Sequence, residues 1–292
     1  MRARSRAARA PPELEGDTLT EREYGLLFDD VAADYDRFRP DHPPVLVDAA
    51  CEAAGLGPES RVLEVGPGTG KLTVALARRG FRIDAVDPGA RLVELARSHV
   101  GSEVQFHVTR FEDVDLPSAT FDAVFSAAAF HWIDPSVGWA KVARLLRPGG
   151  TLALLGSALD GVRNELDDDF HAAFREVLGE AWWQRDPYVV WEGAFSRRGN
   201  VSELWGWLMD RDLASADAAD LFTDVDMLTA PVPRSESADE VVALIRTTSA
   251  YLRLDGPARG RLEGRLRESI ERVGGICRSV ELATLVLART RP

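Results

Sequence analysis

The chain is poor in cysteine, has no long apolar run and shows no cluster of metal ligands. Its two cysteines, Cys51 and Cys277, lie far apart and belong to no metal-binding motif. We predict two reduced structural thiols, which is typical of a cytoplasmic protein. No stretch approaches the roughly 18 apolar residues of a membrane span, so we expect no membrane partner. No set of His, Cys, Asp and Glu has the spacing of metal ligands, so we expect no metal.

Basic residues are also scarce relative to acidic ones. The 35 Lys and Arg residues stand against 47 Asp and Glu residues, which gives a formal net charge of −12 and a pI near 5.0. Phosphate binding needs clustered Lys and Arg, so this balance argues against nucleic acid as the main partner. The 292 residues are 45% hydrophobic and 28% charged, which suffices for one large α/β domain with an elaborated lid or for two small domains.

The N-terminal stretch differs in composition from the rest of the chain. Residues 1–20 are rich in Arg and Ala, carry no acid before Glu13 and contain the helix-breaking pair Pro11 and Pro12. They lack the apolar core of a secretory signal. We interpret residues 1–20 as a disordered arm or as the product of an upstream start codon.

The most informative segment is Arg61–Thr73, with the sequence RVLEVGPGTGKLT. A short apolar strand leads at once to Gly66, Gly68 and Gly70, and a helix follows. Glycine allows positive φ and lets a ligand reach the main chain, while a helix start offers free N–H groups and a partial positive charge. The spacing G-x-G-x-G differs from the G-x-G-x-x-G of dinucleotide-binding folds. The plain alternative is an ordinary tight turn between strand and helix.

Glu64 lies in that strand, two residues before the first glycine. A carboxylate there would repel a pyrophosphate, but it suits a ligand that carries an ammonium group. At Val62–Gly70 the chain resembles the class I S-adenosylmethionine (SAM)-dependent methyltransferases, whose first motif reads (V/L)(L/D)(E/D)xGxGxG. The resemblance implies that Glu64 and the three glycines bind SAM.

The order of the predicted elements agrees with that family. We predict strands at Arg61–Val65, Arg82–Val86, Val104–Thr109, Phe121–Ser126, Thr151–Leu155 and Val280–Ala288, and helices at Lys71–Arg79, Ala90–His99 and Ser136–Leu145. A turn is predicted at Arg147–Gly150. The resemblance implies an α/β fold with a Rossmann-like seven-stranded sheet, whose seventh strand is antiparallel, together with a helical N-terminal cap and a helical substrate lid.

Five parts follow along the chain. They are a disordered arm (1–20), a helical cap (21–58), a SAM-binding Rossmann-like core (59–158), a helical tryptophan-rich insert (159–218), and the C-terminal part of the core sheet with lid helices (219–292). Two short helices are predicted in the cap, on either side of an RPDHPP turn. Beyond the core, Asp160–Leu213 is predicted to be helical, and it is followed by a strand near Phe222–Leu228 and by helices at Ala238–Leu252 and Pro257–Arg272.

Asp87 ends the second predicted strand, 17 residues after Gly70. A carboxylate at the end of a strand beside a glycine turn can accept hydrogen bonds from both ribose hydroxyls. Its plain alternative is to cap the helix that begins near Ala90. We favour ribose binding, with Pro88 in the same loop.

The resemblance supplies the remaining cofactor candidates. Arg110, Phe111 and Glu112 follow the third strand, where the family contacts adenine, although Arg110 stands where an acidic residue is common. In the cap, Arg39 is expected to pair with the methionyl carboxylate and Tyr35 to cover the site; a plain surface helix is the alternative. Ser126 and Ala127, at the end of the fourth strand, complete the set.

His131 lies in the segment AFHW after the fourth strand, which resembles the trans-aconitate methyltransferase-like, type 11 branch of the family. It is the core histidine placed to act as a base near neutral pH. The alternative is a structural histidine that hydrogen-bonds a main-chain carbonyl. Trp132 beside it is a substrate candidate, although packing is the simpler role. Tryptophans of the insert, Trp183, Trp191 and Trp205, are expected to form a lid over an apolar or aromatic substrate, or else to pack in a core.

The sequence therefore predicts a SAM-dependent methyltransferase acting on a small molecule, with the acceptor atom (O, N or C) open. One alternative is a SAM-binding protein of this fold that catalyses another reaction or acts as a regulator. A second is an NAD(P)-dependent oxidoreductase, against which the glycine spacing and Glu64 both argue. A homodimer is compatible with the sequence.

Overall fold

The computed structural model describes residues 25–160, 165–179, 187–215 and 217–291, so the predicted arm at 1–20 lies outside the described residues. Its centre is a seven-stranded sheet in the order β3-β2-β1-β4-β5-β7-β6. The strands are β1 Arg61–Val65, β2 Arg82–Asp87, β3 Val104–Val108, β4 Phe121–Ala127, β5 Leu146–Asp160, β6 Phe222–Ser237 and β7 Ile276–Thr290. β1 to β5 pair in parallel, and β7 runs antiparallel to both β5 and β6. The predicted sheet, including its antiparallel seventh strand, is confirmed.

Helices cover both faces of this sheet. They are α1 Ala32–Phe38, α2 Pro44–Ala53, α3 Lys71–Ala77, α4 Ala90–His99, α5 Pro135–Leu145, α6 Asp167–Leu178, α7 Pro187–Phe195, α8 Val201–Met209, α9 Ala218–Leu221, α10 Ala238–Arg246, α11 Ser249–Leu252 and α12 Gly256–Arg272. β1 is therefore buried on both sides: Leu63 and Val65 pack into one apolar core and Val62 into the other. A strand buried on both faces is continuously apolar, which explains why Glu64 stands out within it.

The N-terminal cap is docked onto the core through a helix start. A 3₁₀ turn at Gly25–Val31 precedes the two predicted short helices, α1 and α2. Asp29 Oδ1 in that turn accepts hydrogen bonds from the backbone N–H groups of Arg91 (2.7 Å) and Leu92 (3.0 Å). These groups have no partner within α4, since they lie in its first turn. The carboxylate thus anchors the cap over the carboxyl ends of the strands.

Four predicted elements differ in the structure, and one of them is the helix predicted at Ala238–Leu252, which is divided into α10 and α11. The turn predicted at Arg147–Gly150 lies inside β5, where the register with β4 shifts between Phe121 and Ala123. The helical stretch predicted at Asp160–Leu213 is divided into α6, α7 and α8. β6 and β7 pair as far as Ser237 and Ile276, beyond the predicted strands. Two small apolar clusters lie there: one is formed by α6, α10, α11 and α12, and in the other Cys277 of the β7 extension packs with α10 and α12.

The two thiols are free and buried, as predicted. Within the described residues no helix is long and apolar enough to cross a membrane, and no group of three or more His, Cys, Asp and Glu side chains is placed to hold a metal ion.

Candidate functional site

A cavity of about 340 Å³ lies across the carboxyl ends of the strands. The glycine turn after β1 and the loops after β2, β3 and β4 form its floor, and α1 with the turn before α2 covers it. Ligands of open α/β sheets bind at this edge because the loops there carry the polar groups that meet a ligand. The cavity volume lies within the usual range for small-molecule sites.

The glycine turn is held in a conformation that other residues rarely adopt. Gly66, Gly68 and Gly70 have φ of 73°, 56° and 88°. A Cβ on Gly66 would lie 2.2 Å from the Cβ of Ala129, and one on Gly70 would lie 3.0 Å from Ala96. Beside Gly68 the space is open up to Tyr35, 3.9 Å away. Gly66 and Gly70 therefore allow close packing against neighbouring residues, and Gly68 leaves its main chain accessible from the cavity.

Glu64 is the unexplained polar group of the site. It lines the cavity but is 0% exposed, and neither carboxylate oxygen has a hydrogen-bond partner among the described residues. Burial raises the pKa of Glu64 to about 8; the nearby Thr73 hydroxyl opposes this shift without reaching hydrogen-bond geometry, and the Asp87 carboxylate adds to it. A buried carboxylate without partners is costly, so this one needs a proton or a cationic ligand.

Asp87 serves the protein's own backbone. Its Oδ2 accepts the Gly68 N–H at 3.0 Å and its Oδ1 accepts the Gly89 N–H at 2.8 Å. Gly89 is the residue that directly precedes α4, but the free N–H groups of that helix, those of Arg91 and Leu92, bind Asp29. The Asp87 carboxylate therefore holds the glycine turn and its own turn, and it does not cap α4. Burial raises the pKa of Asp87 to about 6, the two N–H groups lower it and Asp29 raises it. The carboxylate still lines the cavity, so ribose binding stays a prediction.

Removing the Asp87 carboxylate tests that prediction. Asp87→Ala should weaken S-adenosylhomocysteine binding about tenfold or more, because charge-assisted hydrogen bonds contribute about 1.5–3 kcal/mol each. The discriminating measurement is calorimetry with the 2′-deoxy analogue on both proteins. If the carboxylate holds the ribose, the 2′-deoxy analogue should bind the unmodified protein more weakly than S-adenosylhomocysteine does, and this difference in affinity should disappear in Asp87→Ala. An equal penalty in both proteins would leave Asp87 with its backbone role alone.

The loop after β3 carries its own ion pair. Arg110 Nη2 lies 2.8 Å from Glu112 Oε1, which also accepts the backbone N–H of Asp134. The arginine that departs from the family pattern is thus neutralised by the acid two residues later. Phe111 is 3% exposed and lines the cavity, with Lys141 Nζ at 5.3 Å from its ring centroid. Pro88 lines the same side.

Tyr35 and Arg39 both line the cavity, and the pairing of Arg39 with a ligand carboxylate stays a prediction. The Arg39 guanidinium lies 5.2 Å from the Tyr35 ring centroid. Its Nε and Nη2 also donate to the hydroxyl (2.9 Å) and carbonyl (2.8 Å) of Thr247, just beyond α10. Arg39 therefore joins the N-terminal cap to the C-terminal part of the chain. Its third nitrogen, Nη1, takes no part in these two hydrogen bonds and can meet a ligand carboxylate.

The segment after β4 brings small residues and aromatic rings to the cavity. Ala127, His131 and Trp132 line it, whereas Ser126 does not. The Ser126 hydroxyl is fully buried and donates to the carbonyl of Val65 at 2.7 Å, which ties β4 to β1. We therefore withdraw Ser126 as a cofactor ligand.

His131 is placed at the cavity but not tuned as a base. Burial and the nearby Arg211 lower its pKa to about 3. Its Nδ1 is buried and has no hydrogen-bond partner among the described residues, so it does not bond a main-chain carbonyl through that atom. A general base works best with a pKa near the working pH, so the lowered pKa argues against the predicted role of His131 as a base near neutral pH, and that role stays a prediction. The neutral imidazole can still orient a substrate by a hydrogen bond.

Within the described part of the insert, residues 165–179 and 187–215, no tryptophan lines the cavity. Trp205 is 0% exposed, belongs to the main core and packs against Gly156 from behind the sheet. Trp191 packs on that core and on Phe195, with ring centroids 5.0 Å apart. Neither lines the cavity, so both substrate predictions are wrong, because large aromatic side chains gain more from core packing. Trp183 lies outside the described residues.

The sequence interpretation missed several residues of the wall, including Lys71, Thr248, Ser249 and Glu281. Lys71 follows the glycine turn directly and could have been found from that position. His42, in the turn before α2, was left without a role; it lines the cavity, and burial lowers its pKa to about 4. Thr248, Ser249 and Glu281 reach the site only through the tertiary fold, which no local motif indicates.

Comparisons with known proteins agree with this geometry. Residues 63–154 match the family described as a methyltransferase domain. An uncharacterized methyltransferase of Mycobacterium tuberculosis is 38% identical over 143 residues, which cover 49% of this chain and 57% of that relative. A ubiquinone biosynthesis O-methyltransferase of Xanthomonas axonopodis is 39% identical over 113 residues, which cover 37% of this chain and 46% of the relative. The chain thus spans about half the length of these curated relatives.

Solved structures share the fold at low identity. A proposed type II methyltransferase from Anaeromyxobacter dehalogenans matches 87% of this chain and 97% of its own, with a TM-score of 0.56 and 23% identity. The 4+2-cyclase SpnF matches 94% of this chain and 97% of its own, with a TM-score of 0.52 and 15% identity. At such identities the likeness concerns the fold.

Proposed function

We propose that this chain, which carries a class I SAM-dependent methyltransferase domain, transfers the methyl group of SAM to a small molecule. The observation that carries the proposal is Glu64, a buried carboxylate with both oxygens unpartnered beside the glycine turn. The amino group of SAM would supply the missing cation and hydrogen bonds. A pyrophosphate would instead leave this buried carboxyl without a cationic partner, which argues against NAD(P).

The residues of the cavity fit such a ligand. The Gly68 main chain is accessible, the Asp87 carboxylate lies beside it, and Phe111 offers an apolar surface after β3. Arg39 keeps one nitrogen beyond those bound to Thr247, which suits the ligand carboxylate. These contacts support SAM as the cofactor, with each of the named side chains holding a different part of it.

The chain's own contribution to the reaction is alignment and exclusion of water. Bound SAM supplies an electrophilic methyl group on its sulfonium. The glycine turn and the Ala127 wall fix the ligand from below, and Tyr35 and Trp132 close the cavity with apolar rings. Holding two reactants in line replaces a bimolecular encounter by an oriented one, which is a large part of such catalysis. His131 would orient the acceptor as a neutral hydrogen-bonding group.

A SAM-binding protein with another activity is the second candidate. SpnF, which shares the fold, is described as a cyclase, so the fold by itself does not fix the reaction. We favour methyl transfer because the chain matches a methyltransferase domain and has methyltransferase relatives.

The free, buried thiols support a cytoplasmic location.

The test is calorimetry followed by a transfer assay. SAM and S-adenosylhomocysteine should bind, and NAD should not compete with them. Labelled SAM is then incubated with a panel of small phenols, amines and carboxylic acids, and both methylated product and S-adenosylhomocysteine are measured. Tight binding of NAD, or failure of SAM to bind, would contradict the proposal. SAM binding with acceptor consumption but no methyl transfer would favour the second candidate.

Variants of His131 separate orientation from proton transfer. We expect His131→Ala to lower turnover at saturating SAM by about ten- to a hundredfold, because misalignment of reactants is costly, while SAM affinity changes little. His131→Asn should retain most of the activity, since an amide can keep the hydrogen bond. The rate of the unmodified protein should show no step near pH 6.5, because the pKa of His131 is about 3. Such a step, lost in His131→Asn, would restore the general base.

A further inference from the structure

The wall of the cavity divides along the order of the strands. On one side β1, β2 and β3 end in Glu64, Asp87 and the loop at Arg110, which are the cofactor candidates. On the other side β5, β7 and β6 form the rest of the floor. The turn after β4, with Trp132, lies between the two. If SAM occupies the first side, the acceptor occupies the second, so the chemistry of that second side decides which acceptor fits.

This acceptor side is built from small and apolar groups. Gly156 lines this side, and a Cβ at that position would lie 2.9 Å from Cη2 of Trp205, so the close packing of Trp205 favours glycine there. Ser157 pairs with Ala283, and Val232 pairs with Glu281 on the neighbouring strand. Among the described residues that β4 to β7 and their turns contribute to the wall, Glu281 is the one with a formal charge.

Glu281 belongs to a network with an excess of negative charge. The Arg234 guanidinium binds Glu236 with two nitrogens, one of them Nε at 3.0 Å from Oε2. Its third nitrogen lies 3.5 Å from Glu281 Oε2, which is a long contact. The hydrogen bonds to Glu236 raise the pKa of Arg234, so it stays protonated. Two carboxylates thus share one guanidinium, and the trio carries a net charge of −1.

The network is also poorly hydrated. The side chains of Arg234, Glu236 and Glu281 are 14%, 16% and 23% exposed. A carboxylate in such surroundings gains strongly from a cation and repels an anion. His131, the nearest candidate cation on the β4 turn, is neutral because its pKa is about 3. Arg211, whose guanidinium lies 4.9 Å from the Trp132 ring centroid, is not part of the cavity lining. Within the described part of the chain, Arg234 is therefore the one cation that pairs with Glu281.

We infer that Glu281 selects an acceptor that carries a protonated amine or another cationic group, with its apolar body against Val232 and Trp132. This inference rests on the proposed function for the division of the cavity. It names Glu281 as the residue that determines specificity, and it predicts that neutral and acidic acceptors are disfavoured.

The test compares three matched probes: phenethylamine, phenethyl alcohol and hydrocinnamate. They share a phenyl ring on a two-carbon chain and differ in charge. Binding is measured by calorimetry on the protein loaded with S-adenosylhomocysteine and on the protein without it. We expect the amine to bind at least about tenfold more tightly than the alcohol, because a hydrogen bond between charged groups is stronger than one between a charged and a neutral group, and we expect the acid to bind most weakly.

Glu281→Gln removes the charge and keeps the shape. In this variant the preference for the amine over the alcohol should fall to within about twofold, with unchanged affinity for S-adenosylhomocysteine. Glu94→Gln, an exposed acid on α4 away from the cavity, is the matched control and should keep the preference.

The outcomes separate this inference from the proposed function. If S-adenosylhomocysteine binds but the amine shows no advantage, or keeps its advantage in Glu281→Gln, the role of Glu281 is refuted and the proposed function stands. If S-adenosylhomocysteine fails to bind, the proposed function is lost, and the probes on the unloaded protein still decide the charge preference. Should Glu281→Gln not fold, the ranking of the three probes on the unmodified protein decides.

Discussion

Glu64→Gln is expected to weaken SAM binding by about thirtyfold or more at neutral pH, because removing one partner of a buried charge pair costs about 2–5 kcal/mol. The glutamine keeps the shape of the side chain but cannot balance an ammonium group. Calorimetry with SAM on both proteins measures the change. The control ligand is methylthioadenosine, which has the adenosine part of SAM but no amino acid; its affinity should be the same in both proteins. Equal losses for the two ligands would show that Glu64 acts only on the fold.

The same variant should become more stable than the unmodified protein as the pH rises. The pKa of Glu64 is raised to about 8 from an ordinary value of 4.5, so the folded protein holds a proton that the unfolded chain releases. A raised pKa means that stability is fully present below the ordinary value and is lost as the pH rises through the folded one. Glu64→Gln removes this dependence. The difference in unfolding free energy between the two proteins should shift by about 3 kcal/mol between pH 5 and pH 8.

Titrating groups that do not interact with Glu64 cancel in that difference, whereas Asp87, which raises the pKa of Glu64, contributes to it. His131 and His42, whose pKa values are lowered to about 3 and about 4, make the protein less stable in acid, but they do so equally in both proteins. Denaturant unfolding at several pH values without ligand is the measurement. Binding of SAM to the unmodified protein at pH 7 should also release about one proton, and binding to Glu64→Gln none, which calorimetry in buffers of different ionisation enthalpy detects. A pH-independent difference in stability would mean that Glu64 is ionised in the free protein.

The sequence predicted those parts of the fold that depend on local pattern. β1 at Arg61–Val65 and α4 at Ala90–His99 have the predicted bounds, since a buried parallel strand and an amphipathic helix each leave a clear periodicity. The segment Arg147–Gly150 was predicted as a turn from its Pro and Gly residues, and it lies instead at the shifted register of β5. Pairing with a distant strand overrode the local preference there.

At the site, too, features that depend on local sequence were predicted, and features that depend on remote contacts were not. Glu64 and the three glycines were predicted as cofactor residues from their spacing and from the family resemblance of this motif, which a local segment can carry because strand, turn and helix follow one another in the chain. The hydrogen bonds of individual side chains were not predicted, because their partners are remote in sequence. Arg39 binds Thr247, 208 positions away, and Ser126 binds Val65, 61 positions away. Trp205 was assigned to the substrate from composition, and it is core because its place behind Gly156 depends on how the insert packs.

Gly66→Ala is expected to be the most damaging single change at the site. The new Cβ would lie 2.2 Å from the Cβ of Ala129, in a turn where Gly66 has a φ of 73°. The backbone strain alone costs about 1–3 kcal/mol, and the clash adds to it, so we expect a loss of more than about 4 kcal/mol in unfolding free energy and no measurable SAM binding. Gly80→Ala is the matched control: its φ is 77°, and nothing lies within 4 Å of a Cβ there.

A second substitution separates the clash from the strain. In the double variant Gly66→Ala with Ala129→Gly the nearest remaining contact is the Ala129 Cα at 3.7 Å, an ordinary van der Waals distance. Its stability should therefore return to about the level of Gly80→Ala, with a coupling of roughly 2–3 kcal/mol between the two sites in a double-mutant cycle. Gly66 and Ala129 both line the cavity. Relief of the clash should restore the shape of the cavity, so SAM affinity should recover together with stability. Recovery of stability without binding would mean that SAM needs a glycine at position 66 for direct contact. Additive effects of the two substitutions would show that the turn and the β4 loop do not touch in solution.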